Sequence, residues 1–242
     1  MNVFDGLHGY EVILLVLGVV FFVALTIAFL VQIIRKQQYG KLLPFFALPI
    51  IMIGYPGIEK IKITGSGVEI EKKYHDLQRD PTNEKARQEL ADAVEKVSDR
   101  PISDPRLNAI IAQAQFALGD DVAASERVEK VLRENPRQSA ALDLQRRINL
   151  DRRLGDLTIR AEQNPSDTTA TSRLQSTVNE IKQFQLVNPQ TMVKIADAER
   201  ILGNESQAKA YVDTALQINP NLPSAIQLNS RLRNVTPVPD SQ

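Results

Sequence analysis

Few residues in this chain are of types that do covalent or metal chemistry. There are two histidines, His8 and His75, and no cysteine. Neither histidine has a second histidine at ligand spacing, so both are expected as solvated side chains rather than ligands or general bases. The lack of cysteine excludes disulfides, thiolate metal sites and a thiol nucleophile. Gly65-Ser66-Gly67 is too short to cradle a phosphate and is not followed by Lys-Ser/Thr. Asp120-Asp121 follows Gly119 at an expected helix start, where acids complement the helix dipole, so this pair reads as a cap. No serine sits in an elbow motif. The expectation is a non-enzyme with no catalytic residue, no cofactor and no metal.

The elements around these residues suit a different task. The 242 residues carry 29 basic and 29 acidic side chains, and beyond residue 73 the balance is 22 against 24. A near-neutral domain lacks the basic footprint that phosphate backbones require, so nucleic acid is not an expected partner.

Residues 12–34 form an uncharged run of 23, closed by Arg35-Lys36. About 20 apolar residues cross a hydrocarbon core of roughly 30 Å. No Lys or Arg precedes the run and no small-residue cleavage site follows, so a spanning helix is expected rather than a signal peptide. A second uncharged run, 42–58, contains Pro49 and reaches only about 25 Å as a helix. A return span, a re-entrant segment and an interfacial helix all remain open for it. A single span would put the C-terminal side in the cytoplasm, by Arg35, Lys36 and Lys41. Two spans would set these against Lys60, Lys62, Lys72 and Lys73, and the charge rule barely chooses. The expectation is an integral protein of the cell (inner) membrane, with its C-terminal domain cytoplasmic.

In 59–73 apolar Ile61, Ile63, Val68 and Ile70 alternate with charged residues around Gly65-Ser66-Gly67. Period-two alternation around glycines predicts a β-hairpin pairing Ile63 with Val68 and Lys62 with Glu69. Such a hairpin is marginal alone and would pack on helices or on a second copy, so a homo-oligomer is compatible.

From residue 80 onwards the fold is expected to be mainly α. Asp/Asn-Pro dipeptides at 80, 104 and 135 recur at 164, 188 and 219, a shift of 84, and Gly119 lands on Gly203. Each dipeptide reads as an N-cap followed by proline in the first turn. A duplicated 84-residue unit follows, covering 80–163 and 164–234, with helices near 82–97, 106–118, 122–133 and 138 onwards, and again near 168–183, 190–202, 206–218 and 222 onwards. Gly155 offers a break in 138–163. The tail 235–242 has little to bury and is expected to be disordered.

The segments from Pro105 and Pro189 resemble tetratricopeptide repeats. Ala112 and Ala196 match the small residue of the first helix, Gly119 and Gly203 the turn, and Ala124 and Ala208 the small residue of the second helix. Pro136 and Pro220 match the closing proline. Departures stand beside these matches: Gln115 and Glu199 replace the aromatic of the first helix, and Val128 and Val212 that of the second. The resemblance implies an α-solenoid whose first helices line a groove for a protein or peptide. The groove positions would be Arg106, Ala109, Gln113 and Phe116 in one unit and Gln190, Val193, Asp197 and Arg200 in the other. The expected function is therefore a membrane-anchored, non-catalytic scaffold that gathers a protein partner. The alternative is an accessory subunit of a membrane transport or enzyme complex whose hydrophobic segments, 12–34 and 42–58, are the working part.

Overall fold

The computed structural model describes residues 7–35 and 39–234; the tail 235–242 lies outside the described residues. The described residues are dominated by helix, and the chain divides into two compact units. One is Met1–Glu69 with Glu95–Asp104, the other Ile70–Val94 with Pro105–Gln242.

In the first unit α1 (Gly9–Ile34) is 26 residues long, about 39 Å, and is apolar enough to cross a bilayer. A 3-10 stretch, Tyr39–Phe46, leads into α2 (Ala47–Arg79). The second apolar run packs back along α1. A Cβ on Gly18 would lie 2.9 Å from Met52 Cβ and 3.0 Å from Ile53 Cγ1, so only glycine permits this approach. Nearer the other end, Phe46 meets Phe22 and Phe29 edge-on, with ring centroids 5.6 and 6.1 Å apart. The two arms are thus antiparallel. From Tyr39 to Ile58 the second arm covers about 34 Å by its helical rises, close to the length of α1.

The expected β-hairpin does not form: among the described residues there is no strand, and 59–73 lies inside α2. Its alternation was a local coincidence. Gly67, Ile70, Tyr74 and Leu77 fall on one helical face and are buried, while Val68, assigned to the hairpin's apolar face, is 70% exposed. The 3.6-residue period of the longer stretch overrides the two-residue period of the shorter one.

In the second unit, the later parts of α2 and earlier parts of α3 (Glu84–Ser98) precede seven helices. These are α4 (Pro105–Leu118), α5 (Asp121–Glu134), α6 (Ser139–Gln163), α7 (Thr168–Ile181), α8 (Pro189–Ile201), α9 (Glu205–Ile218) and α10 (Pro223–Asn234). Helix starts Glu84 and Thr168, Pro105 and Pro189, Asp121 and Glu205, and Ser139 and Pro223 are each 84 residues apart. α4 packs on α5, α6 on α7, and α8 on α9, while α6 also contacts α4, α5 and α8. Three apolar clusters fill the spaces. Ala112, Val128 and Leu144 join α4, α5 and the start of α6. Leu154, Leu174 and Ile195 join α6, α7 and α8. Met192, Val212 and Leu228 join α8, α9 and α10.

Gly119 and Gly203 have φ of 94° and 80°. After each, the next amide reaches back five residues, Asp120 N–H to Gln115 O at 2.9 Å and Asn204 N–H to Glu199 O at 2.8 Å. Both turns are therefore Schellman closures, in which glycine avoids the cost of a left-handed side chain. Gly155, by contrast, breaks nothing. α6 runs through it because the stripe Leu144, Ile148, Asp151, Leu154, Thr158 and Ala161 stays buried on both sides.

The Asx-Pro dipeptides serve two purposes rather than one. Pro105 and Pro189 begin helices, but Asn135, Asn164 and Asn219 cap the C-termini of α5, α6 and α9. Proline there prevents the preceding helix from continuing. The next helix starts some three residues later, as when Asp167 accepts the Ala170 N–H at 3.0 Å.

Candidate binding surfaces

The residues expected to line one groove are distributed over several environments. Arg106 is exposed at the start of α4, Gln113 is half-buried, and Ala109 is buried in the core. Phe116 packs on the α4–α6 cluster and lines a small hollow with Tyr74, Arg147, Phe184 and Thr191, where the Arg147 guanidinium lies 4.9 Å from the Phe184 ring. Gln190 is exposed and donates to Gly119 O at 3.3 Å, joining the N-terminus of α8 to the α4–α5 turn. Val193 is buried, yet with Asp197 it edges a cleft whose other wall is Ser224, Gln227, Leu228 and Arg231 of α10. Asp197 and Arg200 come together: Arg200 binds Asp197 at 2.8 Å and Glu162 at 2.7 Å. Burial works to lower the Arg200 pKa, but these two carboxylates outweigh it and hold the guanidinium above its ordinary value. The structure thus joins Asp197 to Arg200 and Gln190 to the Gly119 turn.

Three polar centres inside the array were not legible as sites. Asp151, 2% exposed, accepts from Thr191 Oγ1 at 2.8 Å and from Lys194 Nζ. Lys194 also lies 3.9 Å from Asp121, whose other oxygen accepts from Asn188 Nδ2 at 2.9 Å. Burial, and then the Asp151 charge, push the Asp121 carboxyl above the usual range. Glu199, fully buried, accepts from Lys182 Nζ and from Asn204 Nδ2, the latter at 2.6 Å. Gln115 accepts from Arg127 Nε at 3.2 Å, and Asn108 from the same guanidinium at 2.7 Å. One sequence signal did point here: Gln115 and Glu199 occupy equivalent places where the resemblance expects an aromatic. A buried polar group in place of a ring needs a partner, and both have one.

No family model, no curated protein and no solved structure matches the chain.

Arg87, whose burial pulls its pKa down to about 10, remains charged near neutrality and donates to the carbonyls of Ala117 and Val187 at 2.9 and 2.8 Å. It ties α3 to the end of α4 and to the loop before α8. Among the described residues, no three His, Asp or Glu side chains converge as a metal site would require. His75 is exposed, its Nδ1 3.0 Å from Gln78 Oε1. His8 precedes α1 and donates its backbone N–H to Glu11 Oε2 at 2.8 Å. The Glu11 carboxylate, fully buried, is then held by Arg100 Nη1 at 2.9 and 3.0 Å.

Proposed function

We propose that the protein is a non-catalytic scaffold held in the cell membrane by a helical hairpin, with a tetratricopeptide-like array that gathers a protein partner. The observation that carries the anchor is the outward face of the first unit. Ile13, Leu17, Val20, Ile27, Ile50 and Ile51 are all more than half exposed, an arrangement unfavourable in water and suited to lipid. The 84-residue spacing of helix starts and the paired Schellman turns support the repeat reading. The buried carboxylates Asp151 and Glu199 each have side-chain partners, which supports recognition rather than turnover.

The antiparallel arms, and Arg100 bound to Glu11 at the start of α1, favour the return span over a single crossing. In this reading the segment 95–104 lies on the same side of the bilayer as Gly9. The side in question is the cytoplasmic one in this reading. Because the chain has no cysteine, single introduced cysteines report topology directly. Gly9→Cys and Lys209→Cys are expected to react with a membrane-impermeant maleimide from one side, and Arg35→Cys from the other only. Labelling of Arg35→Cys and Lys209→Cys from the same side would restore the single span.

For the scaffold, photo-crosslinking residues placed at Arg106, Gln113 and Gln190 of the full chain in its native membrane are the test. At least two of them are expected to trap one common protein, with none trapped from Lys209 or Asp213 on α9. No common adduct would remove the reading.

A further inference from the structure

The face of α6 turned away from its buried stripe carries a row of arginines that nothing above uses. Two adjoining hollows, of about 300 and 330 Å³, run along α6 and are walled by α7. The first is lined by Leu142, Gln145, Arg146, Asn149, Leu150 and Arg153 with Glu180 of α7. The second continues from Asn149 and Arg153 through Arg152, Asp156, Leu157 and Arg160 to Arg173 of α7. Five guanidiniums therefore face two carboxylates, an excess of three positive charges in a chain whose formal charge is zero. Arg146 binds Glu180 at 2.6 Å and Arg152 donates to Ser125 Oγ at 2.8 Å. Arg153, Arg160 and Arg173 are exposed and have no carboxylate within 4 Å among the described residues.

From this we infer that the α6–α7 trough is a docking site for an acidic, extended peptide segment of a partner protein. From Leu142 to Arg160 the trough is about 27 Å long by helical rise, the span of roughly eight extended residues. Guanidinium forks match carboxylates in planar, two-point geometry. Buried Leu150 and Leu157 floor the trough between the charges, which suits a peptide whose side chains alternate between acidic and small apolar. The lining has no aromatic ring on which bases would stack, so nucleic acid fits less well, and lipid headgroups are distinguished by vesicle binding. This site is separate from the α4 and α8 positions of the scaffold reading and is tested with different residues.

The probe is a fluorescein-labelled ten-residue peptide of alternating glutamate and alanine. It is titrated against the full chain in nanodiscs of zwitterionic lipid, and binding is read by anisotropy. Binding is expected to weaken about 100-fold in R153E/R160E/R173E and to change less than about twofold in R133E/R137E/K209E, whose charges lie elsewhere. An alternating lysine–alanine peptide is expected not to bind. Helical circular dichroism checks folding, and should the triple reversal misfold, R153Q/R160Q/R173Q is expected to weaken binding about 30-fold. No binding of the acidic peptide at millimolar concentration, or equal binding by both triple variants, would overturn the proposal. So would arginine-dependent binding of phosphatidylserine vesicles or of oligo-deoxythymidine without binding of the peptide. Failure here leaves the crosslinking at Arg106, Gln113 and Gln190 intact, and the converse also holds.

Discussion

A Lys194→Met variant is expected to lose about 3 kcal/mol of stability at pH 7.5 and to regain most of it near pH 4. Lys194 Nζ binds Asp151 and lies 3.9 Å from Asp121, so it is the cation between two carboxylates. Removing one partner of a buried pair costs roughly 3–5 kcal/mol; the lower end applies because the lysine side chain is about one-third exposed. Thr191 and Asn188 would still donate to the two acids, but neither neutral group offsets their mutual repulsion.

The pH dependence follows from the direction of the shift. Asp121 already titrates above its ordinary value, because of burial first and Asp151 second. A carboxyl raised in the folded state adds stability below its unfolded pKa, near 4, and loses that contribution as pH rises through the folded value. Without the lysine, Asp121 is still more costly when ionised, so acid relieves the variant more than the parent. Glu89 runs the opposite way. A hydrogen bond from Lys73 holds it below the usual range, so its contribution is present at neutral pH and is lost as pH falls. Urea unfolding of the full chain in detergent, for parent and variant at the two pH values, measures the difference. Adding Asp151→Asn to the variant should recover most of the loss at pH 7.5. Equal destabilisation at both pH values would show that Lys194 acts by packing alone.

The second large effect is expected at the foot of the hairpin. Among the described residues, Arg100→Met leaves the buried Glu11 carboxylate the His8 N–H and a long 3.4 Å contact to the Tyr10 hydroxyl. We expect a local loss of about 2 kcal/mol, below the figure for a fully enclosed pair because Arg100 keeps some exposure. That corresponds to a roughly 30-fold increase in local opening of the 95–104 segment. Amide hydrogen exchange at Ile102, whose N–H donates to Arg100 O at 2.9 Å, reads it in the nanodisc-embedded protein. Glu11→Gln together with Arg100→Met should exchange more slowly than Arg100→Met alone, because the unpaired charge has gone. Unchanged exchange at Ile102 would mean that 95–104 is held to the hairpin by apolar contacts such as those of buried Val97 and Ile102.

Much of the secondary structure was legible because its causes are local. The 23 uncharged residues at 12–34 demand a helix long enough for a bilayer, and the glycines at 119 and 203 announce left-handed turns through residue type and spacing alone. The β-hairpin does not form because Tyr74 and Leu77 continue the buried helical face of Ile70, and this longer period overrides the alternation of 61–70. Of the six Asx-Pro dipeptides two begin a helix at the proline, Pro105 and Pro189, since asparagine suits either end of a helix and only the flanking geometry chooses. The groove residues dispersed for a similar reason. Equivalent helix positions do not share one environment: Val193 and Ala109 are consumed by the core, and Asp197 and Arg200 pair with each other.

By itself the sequence determined that this protein is helical, that one segment is apolar enough to cross a membrane, and that its helix punctuation recurs at 84 residues. Those properties follow from charge, hydropathy and backbone preference within a few turns of chain. Only the tertiary structure decided that the second apolar run folds back on Gly18, that Gln115, Asp151 and Glu199 are buried with partners, and that arginines of α6 and α7 line two adjoining hollows. Each of these depends on which distant surface an element meets. A side chain's burial and neighbours, and hence its energetic role, are set by that meeting rather than by its place along the chain.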